Sequence, residues 1–200
     1  MTRPNKAFAW NDEAAMCAFV ARTSFSQIVT VAEGRPVSAH APLALGADGS
    51  IRFHLSRANA AAAILDGAPV LASVIGTHFY VSPDWYGTPD QVPTWNYRLV
   101  EIEGIARRLD EAALRDLLDA LSAAHEAGLA PKPAWTSAKM DQRRLDAMVR
   151  AIVGFAIDAP TLRGVIKMGQ NKSDAEAAGA ITMLRAIGND LAADEMEAAR

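Results

Sequence analysis

A chain of 200 residues, half of them hydrophobic, is long enough to close a core without disulfide staples, even though 41 of its residues are alanine. Twenty Lys and Arg against 23 Asp and Glu leave a net charge of -3, so the chain as a whole carries no basic excess for nucleic-acid phosphates. The N-terminal stretch Met1 to Trp10 lacks the apolar segment of a secretory leader, no window approaches the ~20 apolar residues of a membrane span, and a lone Cys17 forms no internal disulfide, so a cytoplasmic protein is expected.

Asn11 or Asp12 caps a first helix to about Arg22, with Met16, Phe19 and Val20 on one face at helical spacing. Alternating, β-branched segments follow: Phe25 to Val31, Val37 to Leu45 and Ser50 to Leu55, separated by Glu33-Gly34-Arg35-Pro36 and Gly46-Ala47-Asp48-Gly49. Two successive hairpins are the simplest reading. Arg57-Ala58-Asn59 opens a brief alanine-rich helix stopped by Gly67, after which Pro69 to Ile75 and His78 to Ser82 resume strand character. Pro83 to Pro93 is a loop, and Tyr97 to Arg108 is a long strand in which Gly104 marks a bulge. Asp110 caps an amphipathic helix with Leu114, Leu117, Leu118 and Leu121 on one stripe, and a second helix over about Ser137 to Arg150 completes a helical insertion outside the sheet. Strands Ile152 to Ile157 and Gly164 to Met168 follow, and Ser173 caps a last helix that reaches the C-terminus. Six or more strands with helices inserted between them predict a mainly β, α+β fold, an antiparallel barrel with peripheral helices, and argue against a doubly wound sheet. No composition shift marks a boundary, so residues 1–200 read as a single domain.

The glycine-rich phosphate loops, the His-Glu-x-x-His metal motif and the Gly-x-Ser-x-Gly elbow are all missing from the sequence. His40 and His54 fall on neighbouring strands and are expected to face each other across the Gly46 to Gly49 turn, as an ordinary cross-strand pair rather than a metal site. Phe79, Tyr80, Trp85, Tyr86, Trp95 and Tyr97 concentrate six of the 13 aromatic residues in one window. Such a cluster is either a loop packing on itself or a wall for a flat ring, with the amide of Asn96 beside it for a heteroaromatic edge. Ser56, Arg57 and Asn59 lie where a strand gives way to a helix, so a hydroxyl, a guanidinium and backbone N–H groups can converge on an anion such as phosphate; they can equally be a helix cap and a solvated arginine. Lys167, Gln170, Asn171 and Lys172 form a last polar cluster around Gly169, a set of ligand donors or a solvated turn.

These residues carry a resemblance. Phe53-His54-Leu55-Ser56-Arg57-Ala58-Asn59, Tyr80-Val81-Ser82-Pro83-Asp84-Trp85-Tyr86, Val92-Pro93-Thr94-Trp95-Asn96-Tyr97, Ile152-Val153-Gly154-Phe155 and Lys167-Met168-Gly169-Gln170-Asn171-Lys172 resemble the PaiB-like family of FMN-binding negative transcriptional regulators, over about Phe8 to Leu184. Val-Pro-Thr-Trp-Asn-Tyr is the most specific element. The chain departs from the family pattern at Ser56, Ala60 and Met168-Gly169, which leaves the main polar groups in place. The resemblance implies a flavin split barrel, a homodimer with FMN at the subunit interface, and cofactor contacts from Ser56, Arg57, Asn59, Trp95, Asn96, Tyr97, Lys167, Gln170, Asn171 and Lys172.

Two functions compete: an FMN-binding regulator, and a flavin-dependent oxidoreductase passing hydride to a small molecule, for which no catalytic residue stands out. A haem-handling barrel is disfavoured, since no Cys-x-x-Cys-His occurs, although His40, His54, His78 and His125 remain as candidate iron ligands. DNA is implied as a partner by the resemblance but not supported by charge, because Ser173 to Arg200 holds six acidic residues and two basic ones.

Overall fold

The computed structural model describes residues 6–200; the first five residues, part of the stretch read for a leader, lie outside the described residues. The chain divides into two compact units, each assembled from separate stretches of sequence.

The larger unit comprises Cys17–Val74 and Glu101–Leu162. Its first hairpin follows helix α1 (Glu13–Thr23) and joins β2 (Phe25–Ala32) to β3 (Arg35–Pro42) in eight antiparallel pairs, from Phe25 opposite Pro42 to Ala32 opposite Arg35. Glu33 and Gly34 both turn through the left-handed region (φ 51 and 76°), and such two-residue turns match the twist of the strands they join. The ladder runs to Pro42, and the second hairpin is only the two-residue β4 (Ala44–Leu45) against the start of β5 (Ile51–Ser56). A 3-10 turn (Ala60–Ala63) leads to β6 (Pro69–Val81), which pairs with β2 through Leu71, Ala72 and Ser73. After β7 (Thr94–Arg108), helices α2 (Glu111–Glu126) and α3 (Gln142–Arg150) precede β8 (Ile152–Ile157). In hydrogen-bonded order the strands run β3-β2-β6-β7-β8-β5-β4.

β8 is almost continuously buried because it is covered on both faces. On one, Phe155 stacks on Phe53 of β5 at 5.5 Å between ring centroids. On the other, Ala156 joins Leu114, Leu117 and Leu121 of α2 and Val149 of α3. Gly154 keeps that helical cover close, since a Cβ there would sit 3.0–3.1 Å from Leu109 and Leu114.

The smaller unit holds residues 6–16, Ile75–Val100 and Arg163–Arg200. β1 (Ala9–Trp10) pairs antiparallel with β9 (Thr161–Lys167), and β9 with β7. α4 (Asp174–Ala186) starts at a full capping box, with Ser173 and Glu176 exchanging side-chain and backbone hydrogen bonds, and α5 (Asp190–Ala198) folds back so that Ala192, Ala193 and Met196 share a core with Phe79, Val81, Tyr86, Met168 and Leu184.

Four expectations are corrected in detail. β6 is one 13-residue strand where a break at Gly76-Thr77 was expected, because glycine adopts extended backbone and the ladder continues through it. The terminal helix is two helices, since Gly188 (φ 77°) reverses the chain after α4 and Asn189 caps α5. Ser137–Lys139 is a 3-10 turn, and α3 starts only after its own cap, Asp141. His40 and His54 do not face each other: His40 lies opposite Gln27 and stacks on Phe25, whereas His54 lies opposite Gly154. Their strands, β3 and β5, are not neighbours in the sheet order.

Among the described residues, no helix is long and apolar enough to cross a membrane.

Candidate functional site

The Ser56–Asn59 turn is held by its own polar groups. Ser56 Oγ accepts from Ala58 N (3.2 Å), Ser56 O accepts from Asn59 N (3.0 Å), and Asn59 Oδ1 accepts from Ala61 N (2.9 Å). The Ser56 and Asn59 side chains therefore shape the turn, as the capping reading had it. Arg57 is placed from the other side: its backbone N–H donates to Ala151 O (2.9 Å) and its Nε to Arg150 O (2.6 Å), where α3 meets β8. The first bond fixes the Arg57 backbone and the second the guanidinium, whose terminal amino groups are left for a further partner. It lines a cavity of about 300 Å3 together with Arg108 and Arg150, faced by Asp110 and Glu111. Sequence reasoning missed Arg108 and Arg150, because nothing local ties them to a turn about 50 and 90 residues away.

The aromatic window divides by strand periodicity. Phe79 and Tyr86 are core, while Tyr80 and Trp95 remain 47% and 55% exposed. Tyr80 meets Trp95 edge-on at 6.4 Å and His78 lies 6.2 Å from the same indole, so His78, Tyr80 and Trp95 make one outward aromatic surface. Asn96 points the other way. It is 1% exposed, and neither Nδ2 nor Oδ1 has a hydrogen-bond partner among the described residues. Trp95 and Asn96 therefore occupy opposite faces of β7, and half-buried Tyr97 follows Trp95 by alternation. Gly169, at φ 80°, allows the turn after β9 to approach this buried amide: a Cβ there would lie 3.3 Å from Met196 Cε and 3.9 Å from Asn96 Nδ2.

The polar turn is also largely committed. Gln170 spans its own turn, with Oε1 accepting from Met168 N and Nε2 donating to Ile166 O, both at 2.8 Å. Lys167 Nζ reaches Thr94 Oγ1 at 2.5 Å, which brings this cluster onto the Trp95 strand. Lys172 donates to Gln91 Oε1 and lies 4.4 Å over the Tyr86 ring, and Asn171 is exposed. Thr88 and Gln91 both donate to Glu176 Oε1 at 2.8 Å, tying the loop before Trp95 to α4. Donors from Ser173 and Thr88 hold the Glu176 carboxyl far below the ordinary carboxylate range, at about 2. Among the described residues no three His, Cys, Asp or Glu side chains gather as a metal ion requires.

Comparison with known proteins adds three findings. Residues 3–160 match the family model described as "Putative FMN-binding domain". The protease synthase and sporulation protein PAI 2 of Bacillus subtilis (strain 168) is 28% identical over 171 residues, covering 84% of this chain and 81% of the relative. Among solved structures, the FAD and haem binding protein from Mycobacterium smegmatis superposes with a TM-score of 0.61 at 19% identity, covering 85% of this chain and 78% of its own, and the flavocytochrome Anf3 from Azotobacter vinelandii with 0.57 at 17%, covering 83% and 72%. At those identities the likeness is one of fold, and the fold is the split barrel.

Proposed function

The chain belongs to the FMN-binding family whose model spans residues 3–160, and on that premise we propose that it is a PaiB-like regulator whose activity follows the state of a bound FMN. The residues present fit the cofactor's chemistry. A guanidinium fixed at Nε, with two further arginines on the same cavity, suits a phosphate, and an exposed indole with flanking rings suits a flat heterocycle.

The observation that carries this reading is the anchored Arg57. Its terminal amino groups bind the phosphate, while Ser56 and Asn59 act through the turn that presents it. Within the smaller unit, taken by itself, Trp95 and Tyr97 offer a face for a flat ring and Lys167, bridged to Thr94, a donor for a ring edge. Gln170 spans the turn that follows, Lys172 ties it to Gln91 and exposed Asn171 stays open to a ligand, while Asn96 is buried beside that turn with its amide unpartnered among the described residues. When bound, FMN supplies reversible electron uptake.

The protein is a homodimer in this reading, with flavin at the interface between two copies. The relative PAI 2 supports the regulatory part, and the acidic C-terminal helices favour control through a ligand or protein partner over direct contact with DNA. A visible absorption spectrum of the purified protein, before and after addition of FMN, tests the reading. Saturable flavin binding is expected; a haem spectrum, or no flavin uptake, overturns it.

A further inference from the structure

Alternation along β5 buries Ile51, Phe53 and Leu55 on one face and turns His54 to the other. On that second face the helical insertion does not close down. A cavity of about 510 Å3 remains, walled by Leu118 of α2, Leu145 and Met148 of α3, Trp135 of the connecting segment, and His54. An adjoining hollow of about 210 Å3 shares His54, Leu118, Ser122 and Trp135 with it. Together they have the size and mainly apolar lining of a small-molecule site. They also lie apart from the Arg57 cleft, with which the larger cavity shares only Val149.

Two features define what would fill the space. His54 Nδ1 is buried and meets no hydrogen-bond partner among the described residues, and leaving such an atom unpaired costs free energy that a ligand atom can recover. Charge is the second. Burial pushes the His54 imidazole toward its neutral form, and Arg115 at the cavity wall is already held by Glu111 and Asp146, each at 2.8 Å. Asp119, the other charged residue of the larger cavity's lining, is exposed to solvent and so screened by water, no unpaired cation lines the space among the described residues to draw an anion, and Trp135 offers a flat face.

We infer that the space between β5, α2 and α3 is a second ligand site, for a neutral aromatic small molecule with one hydrogen-bonding group that meets His54 Nδ1. The site is independent of the FMN assignment, since it uses none of the residues given to the cofactor.

2-Naphthol and naphthalene, which differ by one hydroxyl, are suitable probes in equilibrium dialysis against the full chain, with and without FMN. The wild-type protein is expected to bind both saturably and to prefer 2-naphthol by about three- to tenfold, the range of a single neutral hydrogen bond. FMN should leave both affinities unchanged. His54→Leu should erase the preference while naphthalene still binds, and Ser122→Trp, which fills the hollow, should weaken both probes at least about tenfold. The wild-type preference needs no variant and so does not depend on either substitution folding. Absence of saturable binding, equal wild-type affinity for the two probes, a preference that survives His54→Leu, or displacement by FMN would each overturn the inference. Displacement would show the space to be part of the flavin site, whereas failed probe binding alongside normal FMN uptake leaves the cofactor reading standing.

Discussion

Arg57 is exposed and belongs to a turn that hydrogen-bonds itself, yet its Nε is fixed on a carbonyl 93 residues away. A solvated arginine gains little from such an anchor, whereas a phosphate-binding one gains preorganisation. Arg57→Ala is expected to weaken FMN by about 1.5–3 kcal/mol, the range for a hydrogen bond to a charged group, read as the shift in a flavin fluorescence titration. Glu176 gives a second test. Its carboxyl is held at about 2 against an ordinary 4.5, so its contribution to stability is present above pH 4.5 and lost as pH falls through about 2. Glu176→Gln should therefore lower the urea midpoint at neutral pH, and the gap between variant and wild type should close near pH 2.

Helix α4 rests on the 3-10 turn Pro83–Tyr86 through a glycine. A Cβ at Gly179 would lie 2.4 Å from the Trp85 carbonyl oxygen, a backbone atom that cannot swing aside. Gly179→Ala adds up to ~1 kcal/mol of helix preference but forces an overpacking cost of ~1–3 kcal/mol, so the net expectation is a lower thermal midpoint. Gly128→Ala is the control, because a Cβ there meets nothing within 4 Å and leaves the midpoint unchanged or raised. β8 follows a related logic. Its near-continuous burial would suit a parallel sheet flanked by helices, but here an antiparallel strand carries core on one face and the α2–α3 cover on the other.

The split barrel leaves large rings uncovered, notably Trp95 and Tyr80. In a lone chain these add to the exposed apolar surface, and a dimeric flavin site would cover them. If FMN binds only the dimer, flavin at a hundredfold excess over Kd should favour association by ~2.7 kcal/mol per site. Sedimentation velocity over a dilution series is then expected to show dimer persisting to lower concentration with FMN than without. A stable monomer with full FMN affinity would rule out the shared site.

Fold class was legible from local signals. The β2–β3 hairpin, the Asp110 and Ser173 caps, the α2 leucine stripe and the placement of the helical insertion all follow from periodicity and capping chemistry, which act over a few residues. The residues of the two polar turns and the Trp95 strand stand out by type, and the family match over residues 3–160 takes in the Ser56–Asn59 turn and the Trp95 strand but not the Lys167–Lys172 turn. Which atoms remain available was not. Ser56, Asn59 and Gln170 spend their polar groups on their own turns, Asn96 faces inward, and Arg57 gains Arg108 and Arg150 as neighbours. Strand partners were likewise beyond reach, since His40 and His54 are parted by the order of strands in the sheet, which long-range pairing sets. A sequence pattern records which side chains a fold can use, but hydrogen bonds and cavities arise between segments about 50 to 100 residues apart, and only their packing decides which groups are consumed and which stay free.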